Sequence, residues 1–463
     1  MADLSAELHK LRVENALLKK QVSLLTANGN LSQNPTAISS AGYAGDAAAS
    51  AFPEEVQWIA GARHSLSRLE IRRYSRQLLL PSFGIEAQQK LAKASVLVVG
   101  AGGLGSPVLL YLAASGVGCL GIMDPDSVEL HNLHRQVIHS EAFVGELKVK
   151  SAAATCLAIN SSLQVREYAF ALEAANALEV ISDYDIVVDA SDNVATRYLI
   201  SDACIVANKP LVSGAALGMD GQLTVYNHAQ GPCYRCLFPT PPSQSACQRC
   251  ADAGVLGVVP GIVGTFQALE VIKILTGVGE PFSERMLVFD ALSTRIRTVN
   301  LRGRNPECAA CGDNPQVDRR TLPEFDYEAF TSSPLCDAPP PRQQIVGEDQ
   351  SITCRGYKEV REAHEAHLLL DVREKHEYAI AALPSSLNIP FSLLPQQRDV
   401  IVAAAEVTTS LGVKSLPVYV ICRRGNDSQA AVNELRSFGL SAYDITGGFQ
   451  SWVQDVDPNF PFF

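Results

Sequence analysis

Ser95-Val96-Leu97-Val98-Val99-Gly100-Ala101-Gly102-Gly103-Leu104-Gly105 is the stretch that decides the fold. Five residues dominated by valine and leucine read as a buried strand. A glycine-rich turn interrupts them, and an apolar helical pattern follows from Pro107 to Ser115. Strand, GxGxxG turn and helix together make a phosphate-binding turn: bare backbone lets an anion approach, and the helix N-terminus offers it N–H groups. The turn alone suits NAD as well as ATP. Moving outward, Leu120-Gly121-Ile122-Met123-Asp124 reads as a second strand ending in a carboxylate, at the spacing used to grip ribose hydroxyls. Asp185-Ile186-Val187-Val188-Asp189 reads as another strand after helical segments, and strands alternating with helices mean a parallel, doubly wound α/β sheet. Leu223-Thr224-Val225-Tyr226 and Met286-Leu287-Val288-Phe289 read as later, antiparallel strands.

A chain of 463 residues, 47% hydrophobic, has room for two or three domains with ordinary cores. The formal charge of −11 argues against direct nucleic-acid binding, whose footprint is basic. No apolar run reads as a membrane span, and Met1-Ala2-Asp3 lacks the basic start of a signal peptide, so the expectation is a cytosolic protein with no membrane partner. Along the chain, Leu4, Leu8, Leu11, Leu18, Val22 and Leu25 recur at helical spacing, which makes 1–28 an amphipathic or coiled-coil helix. Residues 29–60 read as a flexible linker, 61–317 as the nucleotide-binding domain, 318–348 with Pro339-Pro340-Pro341 as a second linker, and 349–463 as a smaller α/β domain.

The segment from Asp124 to Gln136, Asp124-Pro125-Asp126-Ser127-Val128-Glu129-Leu130-His131-Asn132-Leu133-His134-Arg135-Gln136, packs carboxylates, an amide and a guanidinium together, with Lys148 shortly after. Asp192-Asn193 follows a strand, at the sheet edge where ligands bind. Cations beside carboxylates suit a triphosphate with Mg²⁺, whereas hydride transfer needs far less positive charge.

Twelve cysteines are too sparse for a disulfide scaffold, and six of them form C-x-x-C pairs. A structural Zn²⁺ takes four ligands in a tetrahedron, so two pairs serve one site. Turns flank Cys233/Cys236 (after Gly231-Pro232) and Cys308/Cys311 (before Gly312), which assigns the zinc knuckle to these four. Cys247/Cys250 is left over in a segment rich in Pro, Ser and Gln; a redox pair there is the alternative. Near the C-terminus, Val418-Tyr419-Val420-Ile421 leads into Cys422-Arg423-Arg424-Gly425-Asn426-Asp427-Ser428, a strand followed by a loop holding one cysteine. Inward N–H groups of such a loop stabilise an anionic sulfur and lower its pKa, and Ser428 reads as the N-cap of the next helix. A phosphatase loop would close on arginine, and Asp427 would repel a dianion, so sulfur transfer is favoured.

The strings GAGGLGSP, LHNLHRQ, SGAALGMDGQLTVY and GPCYRC resemble the MoeB/ThiF group of ubiquitin-activating-type adenylyltransferases. From Arg72 to the C-terminus the chain is also similar to the eukaryotic molybdopterin-synthase sulfurylases, which fuse that domain to a rhodanese domain. The rhodanese part matches at Leu370-Asp371-Val372-Arg373, at Leu383-Pro384-Ser385-Ser386-Leu387-Asn388-Ile389-Pro390 and at Thr446-Gly447-Gly448-Phe449. The resemblance implies ATP binding by Gly103, Asp124, Asn132, Arg135, Lys148, Asp192 and Asn193, with His131, Leu133 and His134 of the same string beside them and Asp192 also holding Mg²⁺. It implies that Arg76 reaches into the partner subunit of a homodimer, and that Cys250 is a second catalytic cysteine beside Cys422.

The implied reaction adenylates the C-terminal Gly-Gly of a small ubiquitin-like protein, either the small subunit of molybdopterin synthase or the ubiquitin-related modifier of tRNA wobble-uridine thiolation. Sulfur from a persulfide on Cys422, loaded by a donor such as a cysteine desulfurase, then gives a thiocarboxylate. Cys250 either resolves an acyl disulfide or first forms a thioester, and the sequence does not choose. Two other readings are a conjugating activator without sulfur transfer and a non-catalytic scaffold. The first would need a C-terminal ubiquitin-fold recruitment domain, where the chain has the Cys422 loop instead, and the second does not account for retained Arg135, Lys148, Asp192, Cys250 and Cys422.

Overall fold

Val96 and Val98 point to one face of the first strand, Leu97 and Val99 to the other, and all four are buried. A strand apolar on both faces belongs in the middle of a sheet covered on both sides. The computed structural model, which describes residues 64–242, 254–332, 344–409 and 412–462, has that arrangement. The chain divides into two compact units, 1–337 and 338–463.

The first unit is built on an eight-stranded sheet: β1 (Ser95–Val99), β2 (Cys119–Met123), β3 (Gln164–Tyr168), β4 (Ile186–Asp189), β5 (Leu211–Leu217), β6 (Asp220–Tyr226), β7 (Arg285–Asp290) and β8 (Arg295–Asn300). Their order is β3-β2-β1-β4-β5-β6-β7-β8, parallel from β3 to β5 and antiparallel from β5 to β8. Val96, Val98, Leu120, Ile122 and Val188 pack beneath the helices Gly105–Ser115, Lys148–Ile159 and Val258–Thr276. Leu97, Val99, Met123 and Val187 meet the Val194–Val206 helix on the other face. Truncating such a leucine to alanine costs about 2–5 kcal/mol. Strand order reverses between β1 and β4, and there a crevice opens at the carboxyl ends of the strands.

The structure departs from two sequence expectations here. Val258–Thr276 is an apolar helix of 19 residues with mean hydropathy 1.6, long and apolar enough to cross a membrane, although no such run was expected. In the fold it lies on the sheet: Val259, Val263 and Val271 are buried, and Gln267 donates to the carbonyls of Asp189 and Val212. Secondly, residues 318–332, expected to be linker, belong to the first unit. Leu322 and Tyr327 are buried, and the Tyr327 hydroxyl donates at 2.9 Å to buried Asp202. The apolar anchors Leu322, Phe325, Tyr327 and Phe330 fall at spacings of three, two and three, which match neither a helical nor a strand period.

The second unit holds a five-stranded parallel sheet: β9 (Ser351–Ile352), β10 (Leu368–Asp371), β11 (Leu387–Asn388), β14 (Val418–Ile421) and β15 (Ala442–Ile445), in the order β11-β10-β14-β15-β9. A separate hairpin pairs β12 (Glu406–Thr409) with β13 (Gly412–Ser415). The expected helix over 1–28, the linker at 29–60 and both Cys247 and Cys250 lie outside the described residues.

Candidate functional site

The glycine turn after β1 is shaped by close approaches. A Cβ on Gly100, whose φ is +101°, would lie 2.6 Å from the Ala190 carbonyl oxygen, and one on Gly105 would lie 1.9 Å from that of Gly100. Only glycine lets β1, β4 and the helix come together here. The turn lines a cleft of about 1010 Å³ whose walls include Gly103, Asp124, Asn132, Arg135, Lys148 and Asp192.

Asp124, at the end of β2, accepts from the Ala101 N–H at 2.8 Å and from the Asp126 N–H at 3.0 Å, so its carboxylate braces the glycine turn. Burial pushes its pKa up, against the pull of Lys148. Lys148 opens its helix almost wholly buried, with Nζ 2.7 Å from Asp126 and 3.6 Å from Asp124. Burial opposes the charge of Lys148, but Asp124, Asp126 and Asp192 outweigh it, and its pKa is raised. The ammonium is therefore held charged at the mouth of the turn. Arg135 Nη2 donates to Asn132 Oδ1 at 2.5 Å, and Asn193 caps the Val194–Val206 helix by accepting from the Thr196 N–H at 2.8 Å.

His131 lines the cleft near its rim, 3.3 Å from Glu129. Leu133 and His134 do not line it: Leu133 is half-buried, and His134 faces a smaller apolar hollow. The chain there makes a 3-10 turn at Leu130–Asn132, so neighbouring side chains diverge. Arg76 is exposed and does not line the cleft of its own chain.

The sequence reading missed a buried network under the cleft. Asp189 accepts from the Ser191 N–H and hydroxyl at 3.1 and 2.6 Å and from the Ser213 hydroxyl at 2.8 Å, with Arg197 Nε at 3.3 Å. Arg197 Nη2 donates to the carbonyls of Ser191 and Gly214, tying the Asp192 loop to β5. Its spacing of four from Asn193, on one helix face, was the available signal.

Cys233, Cys236, Cys308 and Cys311 gather with all four sulfurs within 4.8 Å of one another. Neighbouring Sγ atoms are 3.3, 3.5 and 3.8 Å apart, near the ~3.8 Å edge of a tetrahedron with Zn–S bonds of ~2.3 Å. Gly312 makes the turn possible, since a Cβ there would lie 2.4 Å from the Cys308 carbonyl oxygen. The Asn305 N–H donates to Cys236 Sγ at 3.3 Å. Hydrogen bonding from Cys233, then from Cys308 and Cys311, holds the Cys236 thiol far below the ordinary range, as expected where sulfurs compete for protons. Soft donors at this spacing fit Zn²⁺.

In the second unit, β14 delivers Cys422 to the carboxyl edge of the sheet, almost fully buried. Its Sγ accepts from the Gly425 N–H at 3.1 Å and lies 3.2 Å from Ser428 Oγ. Gly425, at φ +83°, turns that N–H inward. The Gly447-Gly448 turn packs directly behind, with the Phe449 N–H donating to the Cys422 carbonyl at 3.0 Å. Two expectations need correction. Ser428 is not the N-cap: the helix is Asp427–Ser437 with Asn426 before it, and Ser428 is buried with its hydroxyl donating to Asp444 at 2.6 Å. The free Cys422 thiol is raised rather than lowered, because burial outweighs the Ser428 and Gly425 hydrogen bonds and Asp427 adds to the rise.

Comparison with known proteins agrees with both halves. Residues 74–310 match the ThiF family and residues 356–455 the rhodanese-like domain. The chain is 54% identical over 98% of its length, and 97% of the other's, to the adenylyltransferase and sulfurtransferase MOCS3-1 of Zea mays. It is 57% identical over 86% of both chains to the MOCS3 protein of Arabidopsis thaliana. Among solved structures, E. coli MccB with ATP is similar over 52% of this chain and 73% of that one, at 26% identity and a TM-score of 0.47.

Proposed function

Because this chain belongs to the ThiF family and, over nearly its whole length, to the MOCS3 adenylyltransferases and sulfurtransferases, we propose that its cleft activates a carboxylate with ATP and that Cys422 supplies sulfur to it. The carrying observation is the pairing in one chain of two complementary sites: a phosphate cleft with buried Lys148, and a loop whose Gly425 N–H points at one sulfur.

The substrate is the C-terminal Gly-Gly of a small ubiquitin-like protein. Its carboxylate attacks the α-phosphorus of ATP, expelling pyrophosphate and leaving an acyl-adenylate. Lys148 and Arg135 offset charge that builds on the phosphates, while Gly103 lets the backbone approach them. Asp192 and Asp126 are the carboxylates that would hold Mg²⁺, whose chemistry is charge neutralisation on the phosphate oxygens. Zn²⁺ on Cys233, Cys236, Cys308 and Cys311 would be structural, since four protein ligands leave no open position.

A persulfide on Cys422 attacks the acyl carbon and AMP leaves. Cys250 acts in release or as an acyl carrier. The acceptors are the small subunit of molybdopterin synthase and the ubiquitin-related modifier, placing the chain in molybdenum cofactor synthesis and tRNA thiolation in the cytosol. Sulfur comes from a desulfurase-type persulfide, and the protein works as a homodimer with Arg76 directed at the partner's site.

The test is intact mass spectrometry of a Gly-Gly-ended acceptor incubated with the protein, Mg-ATP and a sulfane donor. Replacement of one oxygen by sulfur, lost in Cys422→Ala, is the expected result. AMP formation with an unchanged acceptor would instead favour activation for conjugation.

A further inference from the structure

We propose that Ser428 and Asp444 form a proton relay that lets Cys422 become a thiolate without exporting a proton to solvent. Cys422, Ser428 and Asp444 are each at most 1% exposed. Ser428 Oγ sits between the other two, 3.2 Å from Cys422 Sγ and 2.6 Å from Asp444 Oδ1. A serine hydroxyl has one proton. At 2.6 Å from a carboxylate oxygen that proton points to Asp444, so Ser428 offers the sulfur a lone pair and the Cys422 S–H donates to it. The three groups are aligned for transfer in one direction.

The charge balance gives the reason. Ionising Cys422 beside an Asp444 carboxylate would bury two anions within about 6 Å of each other, in a pocket closed to water. Moving the proton inside the pocket leaves one anion before and one after. The Cys422 proton passes to Ser428 Oγ as the Ser428 proton passes to Asp444 Oδ1. The Cys422 sulfur then attacks the outer sulfur of a persulfide donor; a new S–S bond forms, the donor's S–S bond breaks, and its electron pair leaves on the donor thiolate. Ser428 touches the reacting sulfur, and Asp444 acts through it.

Among the described residues, other charged or titratable groups also stand around the pocket. Asp427 opens the helix carrying Ser428 and raises the Cys422 pKa, opposing ionisation. Arg423 and Arg424 belong to the loop itself. Just after neighbouring β10, Arg373 is bidentate on Asp371, at 2.7 to 3.1 Å. Cys354 lies against the carbonyls of Thr446 and Gly448, both at 3.5 Å. In β15, Asp444 faces Val420 in the register.

The proposal rests on Cys422 being the sulfur carrier, and the experiment separates the two. Full-length protein is alkylated with iodoacetamide between about pH 5.5 and 8.5, with the Cys422 peptide quantified by mass spectrometry. An internal proton transfer makes the thiolate fraction independent of pH between the two macroscopic pKa values of the pair, so the wild-type rate is expected to vary less than about threefold. Asp444→Asn and Ser428→Ala remove the acceptor or the bridge, and their rates should climb about tenfold per pH unit, as for an isolated thiol. Ser428→Thr keeps the hydroxyl and should restore the flat profile. A wild-type profile as steep as that of the variants overturns the relay, and so do flat profiles in Ser428→Ala and Asp444→Asn. Should Asp444→Asn fail to fold, the Ser428 pair alone decides. Thiosulfate loading of Cys422 is measured in parallel: failure to take up sulfur would refute the carrier role while leaving the alkylation result to judge the relay.

Discussion

Gly448→Ala should disable sulfur loading while leaving adenylation untouched. Gly448 has φ +59°, and a Cβ there would lie 2.1 Å from the Cys422 carbonyl oxygen and 3.0 Å from the Gly425 nitrogen. An ordinary carbon–oxygen contact needs about 3.3 Å, so the two segments must separate by roughly 1 Å. That movement breaks the 3.0 Å bond from the Phe449 N–H to Cys422 and displaces the Gly425 N–H from the sulfur. Left-handed backbone costs alanine about 1–2 kcal/mol, and the lost hydrogen bond about 0.5–1.5 kcal/mol. The second unit should therefore lose about 1.5–3.5 kcal/mol, and a loss of 1.4 kcal/mol in aligned hydrogen bonding to the anion alone is about tenfold in rate. Cys422 loading from thiosulfate is followed by mass spectrometry, and ATP–pyrophosphate exchange is the internal control for the first unit. Wild-type loading by Gly448→Ala would refute the reasoning, because it would mean the cradle does not depend on this contact.

Three further outcomes are expected. Lys148→Met should cut pyrophosphate exchange by at least about a hundredfold, since it leaves the Asp124 and Asp126 carboxylates without their shared cation, while Cys422 loading stays intact. His139 is held neutral chiefly by burial, with its ring nitrogens 2.9 Å from Ser151 Oγ and 3.0 Å from the Ala101 carbonyl. Its folded pKa is depressed, so its contribution is present above about pH 6.5 and lost as pH falls below it, where the unfolded chain protonates first; urea titrations at high and low pH should show this loss in wild type and less of it in His139→Asn. Tyr327→Phe removes a donor to buried Asp202, already bidentate with Arg235 at 2.7 to 2.9 Å, and should destabilise the first unit by about 1–3 kcal/mol without changing the acceptor KM.

Features governed by local periodicity or by fixed spacing were legible in the sequence. Val96 to Val99, the glycine turn and Ile186 to Asp189 each carry their signal within a few residues, and turns flanking two of the three C-x-x-C pairs marked the four cysteines that gather. What was not legible depends on distance in space. β3 has the burial pattern of an exposed edge, and β8 is exposed throughout, so neither has an apolar stripe to find. Asp189 and Arg197 read as ordinary polar residues until β5 brings Ser213 and the Gly214 carbonyl to them. Ser428 shows the same limit most sharply. Its position after a loop suggests a helix cap, a role defined by the next three residues. Its actual partners are a sulfur six residues back and a carboxylate sixteen residues ahead, on a strand that closes over it. A serine whose hydroxyl is consumed by a buried carboxylate cannot also cap a helix. Asn426 holds the cap position without a side-chain cap hydrogen bond, and Ser428, one step inside the helix, sits where the sulfur needs a proton acceptor.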